Sequence, residues 1–295
     1  NRAECINTAL QSLQRQTLPS NFYEILLVDN ASTDNTYQEV RRWAATTPNL
    51  RYVCEHRLGL SFARNTGALL STTPYIAYMD DDAYADPQWL ESIVEAFENS
   101  KKFIGVVGGR VWLDWGGAPP SWLPQQYWSL YTYLDQGNQG HFLSPGEYLV
   151  GANMAFHRAT LLDQGGFATY LGRKGRNLLS GEESALLQRL RLQNISIYYE
   201  PKAIVWHKVA PSRQRPQWFL KRLFWDGASQ PLIDFGTNQP RRFYAVQVHY
   251  DVRRIARFML HRLGALLHGE IDSLEYILPL IQRFGRLYAR LFLRG

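Results

Sequence analysis

Two short apolar runs, each ending in carboxylates, constrain this chain more than any other feature. Glu24-Ile-Leu-Leu-Val-Asp29 runs into Asp29, and Tyr75-Ile-Ala-Tyr-Met79 runs into Asp80, Asp81 and Asp82. Continuous apolar runs of this length mark strands covered on both faces. Between them lie a further short strand at Arg51–Glu55 and a helical pattern from Leu60 to Leu70. Beyond them come a helix over Pro87–Glu98, a strand over Ile104–Trp112, a strand near Tyr148–Phe156, a helix from Glu182, and strands at Ile195–Tyr199 and Ala203–His207. Strand alternating with helix predicts an α/β fold whose central sheet is mostly parallel and flanked by helices. In such open sheets ligands bind beyond the carboxyl ends of the strands, so Asp29 and the acidic triplet are expected to face one crevice.

With 295 residues and 45% hydrophobic content the chain can bury a full core. Its charge is uneven. Residues 1–212 carry 18 Lys/Arg against 20 Asp/Glu, residues 213–295 carry 14 against 6, and the net +6 therefore belongs to the last part. This predicts a main domain over 1–212 and a basic helical region over 213–295. A near-neutral main domain excludes a groove for a nucleic-acid backbone. The two cysteines, Cys5 and Cys54, make neither a metal-ligand pattern nor a disulfide framework, which fits a reducing, cytoplasmic setting. There is neither an apolar run of about 18 residues nor a charged-then-apolar leader. Near the end, Ile281, Phe284, Leu287, Tyr288 and Leu291 make one stripe, while Arg283, Arg286, Arg290 and Arg294 make another. Peripheral contact with the inner face of an anionic membrane explains such a helix, and packing on its own domain with a solvated Arg face explains it equally.

Three adjacent carboxylates repel one another, and a hard divalent cation is the natural compensation. Mg²⁺ or Mn²⁺ takes one or two protein carboxylates and fills its other positions with water and substrate phosphates. The competing reading of the triplet is a solvated acidic turn before Pro87. Ser180-Gly-Glu-Glu-Ser184 opens a helix; its Glu pair is either a proton acceptor or simply acidic residues favoured at a helix N-terminus, with Ser180 as cap. His207 in Val205-Trp-His-Lys208 follows a strand, where a histidine is either structural or a ligand. Trp112, Trp115, Trp122, Tyr127, Trp128, Tyr131 and Tyr133 crowd a Gly- and Pro-rich stretch. Such rings offer stacking faces for a carbohydrate, or pack as core beneath a loop.

From about Arg2 to about Val209 the chain resembles family 2 glycosyltransferases, inverting enzymes of the GT-A fold, including bacterial enzymes of cell-surface polysaccharide synthesis. Val28-Asp-Asn-Ala-Ser-Thr-Asp34 is similar to the family's nucleotide-binding segment, Gly59-Leu-Ser-Phe-Ala-Arg-Asn-Thr-Gly67 to the helix beside the nucleotide, and Asp80-Asp-Asp82 to its DxD motif. The resemblance implies a nucleotide-sugar donor, a UDP-sugar first, with Asp29, Arg64, Asn65, Asp80 and Asp81 on the nucleotide side. It implies Mn²⁺ or Mg²⁺ at Asp82 and His207. Glu183 stands where the family places its general base, and a Glu there leaves Glu182 as the alternative. Gly151 and Asn153 in Gly151-Ala-Asn-Met154 match the acceptor-side strand, and Trp112, Trp115 and Trp122 are expected to contact a saccharide or lipid-linked acceptor. The family opens with a buried strand, whereas this sequence opens at Asn1-Arg-Ala-Glu in the helix that follows, so the first strand is expected to be missing. Two other functions compete: a sugar-phosphate nucleotidyltransferase, whose Gly-rich N-terminal loop is not seen here, and a catalytically degenerate module that binds glycan or a membrane assembly.

Overall fold

Helical spacing of Ile6, Ala9 and Leu10 buries one face of α1 (Ile6–Gln14) against the apolar run that forms β1 (Ile25–Asp29). In the computed structural model, Ala3 and residues 5–175, 177–235, 247–257 and 274–293 are described. Most of the Asn1–Glu4 opening, and Arg294 of the basic stripe, lie outside them. β1 pairs in parallel with β2 (Leu50–Cys54), and α2 (Thr36–Ala44) crosses between them, covering the pair with Val40. After α3 (Leu60–Leu70) the chain enters β3 (Tyr75–Met79), the acidic turn and the short β4 (Ala83–Ala85).

β3 belongs to a second sheet, completed by β5 (Val106–Asp114), β6 (His141–Phe142), β7 (Asn153–His157) and β8 (Ile197–Lys208). Its order is β3-β7-β5-β8-β4, with β6 paired to β8. Only β5–β8 is parallel; β3–β7, β5–β7, β4–β8 and β6–β8 are antiparallel. The α/β architecture follows the sequence, but the central sheet is mixed rather than mostly parallel. An apolar run covered on both faces looks the same whichever way its neighbour runs. Among the described residues the β1–β2 pair makes no ladder with the six-stranded sheet.

The main core lies between β3, β5, β7 and β8 and the helices α5 (Arg158–Asp163) and α6 (Glu182–Leu192), with Phe156, Leu161, Leu186 and Leu190 fully enclosed. On the opposite face α4 (Trp89–Glu98) inserts Trp89 and Ile93. The register of β5 against β8 shifts at Gly109/Arg110, where a Cβ on Gly109 would run into the Ala203 carbonyl. Asn153 serves that irregularity, donating to the Arg110 carbonyl at 2.9 Å and the Ala203 carbonyl at 2.8 Å while accepting from Trp89 Nε1 at 2.8 Å.

The basic region forms α7 (Pro216–Phe235), α8 (247–257) and α9 (Leu274–Phe292). α7 packs Phe219 and Leu223 onto Trp115, Leu130 and Tyr131, and Leu278 of α9 joins the same cluster. α9 lies along α7 with backbones touching, since a Cβ on Gly285 would meet the Phe224 carbonyl and one on Gly227 the Gln282 carbonyl. No helix of the described residues is long and apolar enough to cross a membrane.

Candidate active site

Arg64 organises the centre of the site. It projects from α3, is only 7% exposed, and lies over the Phe167 ring. Nη1 donates to Glu182 Oε1 at 2.9 Å; Nη2 pairs with Asp80 Oδ1 at 3.3 Å and reaches the Gly151 carbonyl at 3.2 Å. Burial works against its charge, but Glu182, Asp80 and Glu183 outweigh that and hold Arg64 above its usual pKa. Gly151 is what admits the guanidinium: a Cβ there would sit 2.6 Å from Nη2. Its contribution is space for Arg64, a role in addition to the acceptor contact expected of it.

Asp80, Asp81 and Asp82 turn the chain from β3 into β4, held by an Ala83 N–H to Asp80 carbonyl bond and a Lys208 N–H to Asp82 carbonyl bond. Asp82 is buried; His207 Nε2 lies 3.2 Å from its Oδ1 and Arg213 Nη2 3.0 Å from its Oδ2. Asp80, Asp82 and His207 each offer one ligand atom within 4.8 Å of the others. Two oxygen donors with one imidazole fit a Mn²⁺- or Mg²⁺-type ion, imidazole favouring Mn²⁺. His207 Nδ1 is buried without a hydrogen-bond partner. Arg213, the first residue of the basic region, offsets the Asp82 charge; embedded in an Arg-rich run, it carries no signal in the sequence that sets it apart.

Glu182 and Glu183 form the first turn of α6. The cap is Gly181, in the left-handed region at φ 97°, rather than Ser180, whose N–H instead donates to Ser229 Oγ of α7 at 3.0 Å. Burial, then the Glu183 charge, pushes Glu182 above the ordinary carboxylate range, against the pull of Arg64. Glu182 Oε2 and Glu183 Oε2 are both buried without hydrogen-bond partners. Glu182 Oε1 is committed to Arg64, whereas among the described residues Glu183 forms no ion pair.

Asp29 ends β1 in a separate hydrogen-bonded group: Oδ1 accepts from Ser32 N–H at 3.0 Å and Oδ2 from Tyr52 Oη–H at 2.8 Å. Next to it Asn30 ties β1 to the loop before α3, donating to the Glu55 and Arg57 carbonyls and accepting from Gly59 N–H.

Three expected contact residues have other work. Asn65 spends its amide on the backbone of Phe167, donating to the carbonyl and accepting from the N–H, both at 2.8 Å, and so positions the Phe167 loop. Asn153 is 0% exposed with both ends engaged at the β5–β8 irregularity, so it is closed to an acceptor. Trp115 is buried under α7 against Trp128 and Tyr131 and presents no free face. Trp122 is half-buried against Phe219, and Trp112 packs on Tyr133 with Arg110 over its ring. The aromatic stretch is therefore largely the floor on which α7 sits, a covering that ring content alone does not reveal.

Residues 1–160 match the model of glycosyl transferase family 2. The chain belongs to that family. It is 33% identical over 177 residues, 60% of this chain and 56% of the relative, to the glucosyl-dolichyl phosphate glucuronosyltransferase of Haloferax volcanii. It is 36% identical over 112 residues, 38% of this chain and 36% of the relative, to glycosyltransferase AglE of the same organism. The chain spans about half the length of the first of these curated relatives, or less of the second. Among solved structures, the mannosyltransferase PcManGT of Pyrobaculum calidifontis, in complex with GDP-Man and Mn²⁺, aligns with 99% of this chain and 68% of its own at a TM-score of 0.52 and 20% identity. S. aureus TarS 1–349 with UDP-GlcNAc aligns with 77% of this chain and 63% of its own at 0.55 and 17%. These two share the GT-A fold with this chain.

Proposed function

We propose that the chain transfers a sugar from a nucleoside diphosphate sugar, a UDP-sugar first, to a hydroxyl of a saccharide or lipid-linked acceptor, with inversion. One observation carries the reading: buried Arg64 joins Asp80 of the acidic turn to Glu182 of the α6 pair, so the donor-side and acceptor-side carboxylates form one ion-paired unit. The nucleotide would lie toward Asp29 and the acidic turn, with Asp80 and Asp81 on its ribose side. Glu183 would take the acceptor hydroxyl proton as that oxygen bonds to the anomeric carbon and the sugar–diphosphate bond breaks, its electron pair leaving with the diphosphate. Arg64 keeps Glu182 occupied and so separates the two neighbouring carboxylates in role. Asp82 and His207, with Asp80 beside them, would hold a divalent ion, which when bound offsets charge on the diphosphate. The names of the relatives support the substrate classes: one acts on a dolichyl phosphate sugar, and two fold neighbours were captured with GDP-Man and Mn²⁺ and with UDP-GlcNAc.

The test is nucleoside diphosphate release from a panel of nucleotide sugars, with and without Mn²⁺ or Mg²⁺ and saccharide or lipid-phosphate acceptors. Metal-dependent release from one donor, lost in Asp82→Asn, is the expected outcome. Full turnover by Asp82→Asn, or cleavage that requires a nucleoside triphosphate, would remove the assignment.

A further inference from the structure

Away from the pocket, the strongest concentration of unbalanced charge lies between α8 and α9. A cavity of about 180 Å³ there is lined by Arg254 and Asp251 of α8 and by Arg283, Arg286 and Arg290 of α9. Four guanidinium groups meet one carboxylate. That carboxylate is already used: Arg290 donates to buried Asp251, and its second nitrogen reaches Gln247 at 3.3 Å. Among the described residues no carboxylate forms an ion pair with Arg254, Arg283 or Arg286. Arg286 Nε is buried with no hydrogen-bond partner. Arg254 stands over the Tyr250 ring at 5.0 Å. Burial, together with the charges of Arg254 and Arg286, holds Arg283 below its usual pKa. A cluster of surplus guanidinium groups around one hollow is what an oxyanion would stabilise, because the planar fork donates two parallel hydrogen bonds to one phosphoryl group.

We propose that this cavity between α8 and α9 is a binding site for a phosphate or diphosphate group, separate from the proposed donor pocket. Its volume is well below the roughly 300–1,000 Å³ of ordinary ligand pockets, which suits a phosphoryl group and leaves no room for a whole nucleotide sugar. The group comes either from a lipid headgroup or from a free phosphate compound. Phe284, Leu291 and Phe292 stand exposed on α9 and put a headgroup source within physical reach.

The experiment titrates the full chain with inorganic pyrophosphate under chelating conditions, where the carboxylate pocket repels the anion. It compares the unaltered protein with Arg254→Gln/Arg286→Gln and with Arg253→Gln/Arg257→Gln. The second variant removes the same charge from exposed positions of α8 outside the cavity. The cavity variant is expected to bind about tenfold more weakly or worse, and the control within about twofold of the parent. Arg286→Lys, which keeps the charge and loses the fork, is expected to fall between them and covers the case of a double variant that fails to fold. A second arm measures co-sedimentation with phosphatidylglycerol and phosphatidylcholine vesicles. Loss of phosphatidylglycerol binding in the cavity variant alone assigns the group to a headgroup; a cavity-specific effect on pyrophosphate alone assigns it to a free phosphate. Equal behaviour of cavity and control variants in both arms overturns the proposal.

Discussion

Arg64 sits between two carboxylates in a place from which water is nearly excluded, and the roles of the neighbouring glutamates follow from that contact. Removing one partner of a buried pair leaves an uncompensated charge, at a cost of about 3–5 kcal/mol. Glu182→Ala, which takes away the acceptor for Arg64 Nη1 whichever protonation state Glu182 holds, is therefore expected to lower stability to urea by about that much, less whatever Asp80 still supplies. Glu183→Gln, whose side chain makes no such pair, is expected to keep near-parental stability and donor affinity while kcat falls by about 10²–10⁴-fold. An inactive Glu182→Gln beside an active Glu183→Gln would transfer the base to Glu182. Gly151 gives a second prediction. A methyl placed 2.6 Å from a pinned guanidinium must displace it, because Asp80 and Glu182 hold it from the other side. Gly151→Ala is expected to cost about 1–3 kcal/mol from overpacking, and to reduce kcat by more than that loss of stability accounts for. Transfer at the parental rate would show that Arg64 need not lie there.

The loop between β2 and α3 is tied by Glu55, which accepts from Arg57 N–H, Nε and Nη2 and from Thr66 Oγ1. The Arg57 hydrogen bonds, then that of Thr66, hold its carboxyl well below the usual carboxylate range. A carboxyl whose pKa is lowered by folding contributes fully above its unfolded value and loses that contribution as the pH falls. Glu55→Gln is thus expected to cost on the order of 1 kcal/mol near neutrality, solvent on the exposed Arg57 limiting the gain. In urea titrations the gap should narrow between about pH 6 and about pH 3; a constant gap would mean that the amide and the carboxylate hold the loop alike. At this scale β1, β3, α3, α4 and α6 were legible in the sequence, since each shows its own period and its own ending. Strand direction was not, because β7 reads as an apolar run whether it enters between β3 and β5 parallel or antiparallel. β4 and β6, at three and two residues, are too short to carry a period. At the site, Asp80, Asp82, His207, Glu182 and Arg64 stand out by motif and order. The occupied amides of Asn65 and Asn153, the covering of Trp115 and the reach of Arg213 depend on contacts far apart in the chain, which motif spacing does not encode.

Across the whole molecule the basic helices are unequal partners of the site. α7 stands directly behind it: Ser229 accepts from Ser180 N–H just before the Glu pair, Ile233 packs on Gly181, and Arg222 reaches the Leu130 and Leu178 carbonyls at 3.2 and 3.4 Å. α9 lies outside α7, and its closest approach depends on Gly285 having no side chain. Gly285→Val would drive its Cβ into the Phe224 carbonyl and force the helices apart, at a cost of about 1–3 kcal/mol. The opening should appear first as faster proteolysis within 274–293, because cleavage follows local release rather than global unfolding. Phe219 and Leu223 still anchor α7 to Trp115, Leu130 and Tyr131, so donor binding should stay within about twofold of the parent. Phe219→Ala acts on the other layer. It removes a buried ring from that anchor at about 3–5 kcal/mol, loosens the loop leading into α6, and is expected to lower kcat as well as stability. Equal loss of transfer in both variants would mean that α9 is as much a part of the active scaffold as α7. Loss in Phe219→Ala alone would place the boundary of that scaffold between the two helices, beyond the point in the chain where the charge changes sign.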